Sequence, residues 1–216
     1  MLYVYAFVEA PASVPSVPGI DSAPVEAEVV NGLEAIVSRH DAALDASEPA
    51  IVAHAAVVDA VAAANEAVLP VRFGGMHADG EALRAAVAAR APELAAALAR
   101  VRGCVELGVR ALAPSVERVA AASGAAYMRG RLEQRRETDR LADELHAPLA
   151  GLARDATQTV GATQRLLLSG AYLVPEDAVA TFRKQVASLQ DAHPELAIVC
   201  TGPWPPYSFA TAEAGS

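Results

Sequence analysis

The sequence predicts an α+β protein whose strands and helices are mixed in each of two domains, residues 1–112 and 113–216. Three observations carry that expectation. Short runs of alternating aromatic and β-branched residues, such as Leu2 to Val8, have the two-residue period of a half-buried strand. Between such runs lie Ala-rich stretches opened by capping residues and prolines, which have the composition of helices. Pro114-Ser115 then interrupts the chain where one strand pattern has just ended and a long charged helical pattern is about to begin.

Leu2 to Val8 is expected as the first strand, and the prolines from Pro11 to Pro24 fix too many φ angles for a helix to follow it. Val25 to Val30 and Leu33 to Ser38 flank Asn31-Gly32, the dipeptide best suited to a two-residue type I′ hairpin turn. Ser47-Glu48-Pro49 opens a helix expected to run to about Val68. Pro70 ends it, Val71 to Phe73 form a short strand, and Gly74-Gly75 relax the backbone before a second helix from about Asp79 to Val101 that Pro92 kinks or splits. Gly103 to Leu112 closes the first domain as a strand.

In the second domain Ser123 caps a long helix through about Leu145, with a break at Pro148 and further helix up to Thr157. Leu166 to Val174 reads as a strand, Pro175-Glu176-Asp177 opens a helix through Leu189, and Leu196 to Thr201 is the last strand before a proline-rich tail. A faint internal echo sets LPVRFGG, a helix and APEL against GAYLVPE, a helix and HPEL, as two related units would.

Composition narrows the function. The 53% hydrophobic content and mean hydropathy of +0.26 are membrane-like, but much of the apolar fraction is Ala, and prolines and glycine break the longest uncharged run, so no transmembrane helix is expected. The N-terminus lacks a basic region and a cleavage site, so the chain reads as cytoplasmic. A net charge of −9 disfavours nucleic acid and anionic lipid as partners. Cys104 and Cys200 each sit in an apolar run and read as reduced core thiols.

No phosphate loop, dinucleotide fingerprint, HExxH, CxxC or GxSxG occurs, and the five histidines are scattered over different elements, so neither metal nor cofactor is expected. Gly74-Gly75 with His77 and Asp79 could in principle hold an anion, but a strand-to-helix turn capped by Asp79 explains the same residues. Arg129/Glu133, Arg135/Asp139 and Arg140/Glu144 fall at i,i+4 spacing, as on a solvated helix face, beside a narrow apolar stripe of Met128, Leu132, Leu141 and Leu145. The tail from Gly202 to Phe209 combines three prolines with Trp204, Tyr207 and Phe209. It either clamps across its own domain or presents aromatic anchors to a partner.

The LYVYAFV opening strand, Leu69 to Gly75 as LPVRFGG, Ala171 to Val174 as AYLV and the terminal GPWPPYSF together resemble the gas vesicle protein L/F family, in that order and over nearly the whole chain. The terminal motif is the specific one. The resemblance implies that the first α+β domain is ferredoxin-like, and that the protein is a non-catalytic accessory or minor structural component of the gas vesicle. Its implied partners are the hydrophobic major shell protein and other accessory proteins. Candidate contacts are Arg72 and Phe73, in a strand ending at a glycine turn, and Trp204, Tyr207 and Phe209 in the tail. Ser169-Gly170 departs from the polar or Asn-containing approach expected before AYLV and leaves the register of that strand open. The competing readings are a small-ligand-binding regulator on ferredoxin-like domains and, further off, an enzyme whose site is assembled only by folding.

Overall fold

The computed structural model describes residues 1–114, 123–160 and 165–210. It divides into two compact units, Met1–Val105 together with the chain from Trp204 onward, and Glu106–Pro203. The division departs from the expected 1–112 and 113–216 at both ends. Strand Cys104–Leu112 leads from the first unit into the second, and the tail returns to the first because its aromatic residues are packed there.

The first unit opens with β1 (Leu2–Glu9), buried on both faces except at Glu9. The proline-rich segment after it contains only a three-residue 3-10 turn, Ile20–Ser22. Next come β2 (Glu26–Val30) and β3 (Leu33–Arg39), joined by the predicted turn, with positive φ at Asn31 (49°) and Gly32 (82°). Helix α1 (Glu48–Ala64) begins where predicted, the Ser47 side chain accepting from Ala50 N at 3.4 Å. It stops before Val68, because the Asn65 side chain caps the Val61 carbonyl at 2.9 Å and the chain turns to pair with β1.

That pairing makes β4 Val68–Pro70, so the strand expected at Val71 to Phe73 lies three residues earlier. A two-residue strand that the sequence reading missed, β5 (Met76–His77), pairs with Leu2 and Tyr3. The sheet order is β2-β3-β1-β4, with β5 also on β1. A ferredoxin-like unit runs β-α-β-β-α-β. Here the crossover from β1 to β2 is loop and 3-10 turn, and only the crossover from β3 to β4 is helical.

Asp79 caps α2 (Gly80–Ala88), accepting from Ala82 N at 2.9 Å, and Pro92 stands in the first turn of a separate α3 (Ala91–Val101). The predicted split therefore falls between two separate helices, the second opened by Pro92 without a side-chain cap. Arg102 ties the end of α3 to Glu9 of β1.

The second unit holds most of β6 (Cys104–Leu112), then α4 (Gly124–Ala150), β7 (Asp155–Val160), β8 (Leu166–Pro175), α5 (Val179–Ala192) and β9 (Ala197–Trp204). The sheet order is β7-β8-β6-β9. Pro148 does not break α4. It lies in the last turn, where the missing N–H costs one bond near an end rather than in the middle. The helix expected up to Thr157 is instead β7, paired antiparallel with β8 from Asp155↔Leu173 to Val160↔Leu168.

That register also explains Ser169-Gly170. A Cβ on Gly170 would come within 2.7–2.9 Å of the Tyr172 ring, which folds back over it into the core. The internal echo has no structural counterpart, since APEL opens α3 whereas HPEL is the turn between α5 and β9. Cys104 is buried and Cys200 half-buried, and burial pushes the Cys200 thiol pKa up.

Candidate functional site

The alternation of β1 places Tyr3 and Tyr5 on one face, towards α1, and their rings meet edge-on at 4.9 Å. His54 projects from the buried face of α1 between them, stacked on Tyr5 at 5.6 Å and edge-on to Tyr3 at 5.7 Å. Phe73, from the turn after β4, closes a third side at 5.8 Å from His54. From the tail, Tyr207 brings its hydroxyl to 3.4 Å from His54 Nε2. Four segments distant in sequence thus converge on one imidazole.

The Tyr3 hydroxyl accepts from Gly74 N at 3.3 Å and lies 2.8 Å from His54 Nδ1, so the two ring nitrogens are met by two different tyrosine hydroxyls, Tyr3 at Nδ1 and Tyr207 at Nε2. Burial depresses the His54 pKa, with a hydrogen bond to the Val71 carbonyl partly opposing it, and the ring is neutral at pH 7. Burial likewise raises the pKa of Tyr3 and pushes Tyr207 up to about 12, in the latter case with help from Asp59.

A second chain of contacts continues from Tyr5. Its hydroxyl accepts from Ile20 N at 3.0 Å and meets Ser38 Oγ at 2.9 Å, and Ser38 Oγ in turn lies 2.8 Å from His40 Nε2. A Ser–His pair at that distance has the spacing of a nucleophile and its base. Ser38, however, is fully buried and its hydroxyl is shared with Tyr5, so the contacts join the proline-rich loop to β1 and β3. Gly19 belongs to the same arrangement, since a Cβ there would meet the Tyr5 hydroxyl at 2.5 Å. Among the described residues no group of three His, Cys, Asp or Glu side chains is placed to hold a metal, and no helix is long and apolar enough to cross a membrane.

The five expected contact residues separate. Arg72 is exposed, and so is Trp204, at 53%. Phe73 and Tyr207 are half-buried, brought together against the His54 cluster. Phe209 is 2% exposed, and its carbonyl accepts from Arg100 Nη2 at 2.6 Å. Pro205 and Pro206 are buried beside it, so the tail clamps its own unit, and of its three aromatic side chains Trp204 is the one left well exposed. Sequence reasoning missed His54, Tyr3 and Tyr5. The available signal was a histidine on the apolar face of a helix facing two tyrosines at strand spacing.

The family model described as gas vesicle synthesis protein GvpL/GvpF matches residues 1–211. The chain belongs to the GvpL/GvpF family. Gas vesicle protein F2 of Halobacterium salinarum is 28% identical over 172 residues, 79% of this chain and 72% of that protein. Gas vesicle protein L of a Streptomyces species is 31% identical over 182 residues, 73% of this chain and 67% of that one. The fold is that of the crystal structure of GvpF from Anabaena, with a TM-score of 0.78 at 20% identity over 98% of this chain and 96% of that chain. GvpF from Microcystis aeruginosa matches with a TM-score of 0.79 at 19% identity over 97% and 98%. Membership ties this GvpL/GvpF chain to gas vesicle assembly.

Proposed function

We propose that the chain is a non-catalytic, cytoplasmic accessory or minor structural protein of gas vesicle assembly that binds the hydrophobic major shell protein, in company with other accessory proteins. The observation that carries the reading is the family match along nearly the whole chain. The tail supports it physically. Trp204 is a large apolar side chain at 53% exposure, on a segment whose next residues are immobilised by two buried prolines and Phe209. An aromatic anchor held in this way loses little conformational entropy on binding. Arg72, exposed beside Phe73, is the second candidate contact in the same unit.

The assembly role is tested by deleting the reading frame from an intact vesicle-forming gene cluster and measuring the cellular light scattering that hydrostatic pressure abolishes. Loss of that signal, restored by complementation, is expected, whereas an unchanged signal contradicts the assembly role. Shell-protein binding is tested separately, by co-purification of the major shell protein with the wild type and with Trp204→Ala and Arg72→Ala. Undiminished recovery with both variants removes these residues from the binding surface.

A further inference from the structure

Charge is unevenly divided between two exposed helical surfaces. Helix α1 lies in a stretch with no lysine or arginine between Arg39 and Arg72, while Asp41, Asp45, Glu48, Asp59 and Glu66 are all exposed there. Its outward face also displays Ile51 at 47% and Val52 at 62% exposure, with Ala55 and Ala56 exposed one turn on. This is an apolar strip with acidic surroundings.

Helix α4 has the opposite character over its first half. From Met128 to Arg140 every side chain is exposed except Thr138, which is half-buried, and α4 enters its own core only from Leu141 onward. Five arginines stand against three acids between Gly124 and Arg140, in a chain whose net charge is −9. Met128 at 59% and Leu132 at 56% exposure lie one turn apart among those arginines. The stripe expected from sequence is therefore divided, Leu141 and Leu145 serving the core and Met128 and Leu132 facing water.

We propose that the projecting half of α4 in one copy of the protein docks on the outward face of α1 in a second copy. The apolar pair Met128 and Leu132 meets Ile51 and Val52, and Arg129, Arg135 and Arg136 meet Asp41, Asp45, Glu48 and Asp59, while Glu66 at the far end of α1 is already met by Arg102 at 3.6 Å. Lengths agree, since the 17 residues of α1 span about 25 Å and the projecting part of α4 about 20 Å. The partner is a second copy because the chain itself carries both complementary surfaces, each exposed. A contact of this kind uses different patches on the two copies, one copy lending α4 and the other α1.

The test uses the full chain and sedimentation equilibrium over a range of protein concentrations. The wild type is expected to self-associate, and Val52→Glu and Leu132→Glu, each placing a charge where an apolar side chain docks, weaken association at least about tenfold. Both positions are exposed, so circular dichroism and thermal melting of each variant should match the wild type. An equal mixture of the two variants recovers association, because the intact α4 of one meets the intact α1 of the other. A wild type that remains monomeric throughout, association that survives either substitution, or a mixture that stays monomeric each overturns the proposal.

Discussion

Replacing Phe209 by alanine should destabilise the first unit about as much as a change in its central sheet would, although Phe209 is near the end of the described chain. Its ring is 2% exposed, so truncation removes nearly the whole transfer free energy of a phenyl group and leaves a cavity. Buried Phe→Ala changes cost about 3–5 kcal/mol, and the lower end applies because the tail can settle partly into the space. The Arg100 bond to the residue-209 carbonyl survives the substitution, being made to the backbone. A loss of about 3 kcal/mol corresponds to a melting temperature lower by roughly 10 °C for a unit of this size. Trp204→Ala, at a side chain 53% exposed, should stay within about 0.5 kcal/mol. The assay is calorimetry of the full chain with amide hydrogen exchange read separately over β1 and α1 and over β8 and α5, since two units need not melt as one. Equal losses from the two substitutions, or Phe209→Ala within 1 or 2 °C of wild type by the same size scaling, would refute the clamp.

Four more expectations follow from the same contacts. His54 and His77 have pKa values depressed below the ordinary 6.5 by burial, so the unfolded chain binds more protons below that pH. First-unit stability should be constant above about pH 6.5 and fall as the pH drops below it; urea titrations at pH 7.5 and 5.5 that give the same stability would exclude this. At the alkaline end the raised Tyr207, at about 12, gives the mirror case, with stability present below pH 10 and lost as pH rises from 10 through 12, detectable by tyrosinate absorbance. Gly170→Ala should cost about 1–3 kcal/mol, because the new Cβ meets the Tyr172 ring at 2.7 Å; wild-type urea stability would show that the ring moves freely. Gln190→Ala leaves Ile198 N and the Leu196 carbonyl at the β9 edge without their 2.9 Å partners, and should cost about 1–3 kcal/mol and raise light scattering on storage.

Local signals marked the fold well wherever one residue type had one job. Asn31-Gly32, Ser47, Asp79 and Pro92 each stand where their backbone chemistry placed them, because turns and caps are decided within four residues. The misread elements were decided by distant partners. Val68–Pro70 became strand, ending α1 early, because β1 was there to pair with it, and Asp155–Val160 became strand because β8 offered a matching edge. Neither decision leaves a local trace. The His54 cluster was hidden for the same reason, its parts coming from β1, α1, the turn after β4 and the tail. Tail composition identified an aromatic docking segment but not its target, and burial at Phe209 and half-burial at Tyr207 show the target to be the first unit itself.

The return of the tail also fixes an order of events during synthesis. Residues 1–105 emerge first, yet the side chains against which Tyr207 and Phe209 pack wait for them until the whole second unit has been translated. At about 5–20 residues per second that delay is several seconds to some twenty seconds, during which the Tyr3, His54 and Phe73 surface lacks its cover. The earliest part of the molecule to leave the ribosome is therefore the last to be completed. A chain cut short near its C-terminus would carry its lesion at the opposite end of the sequence.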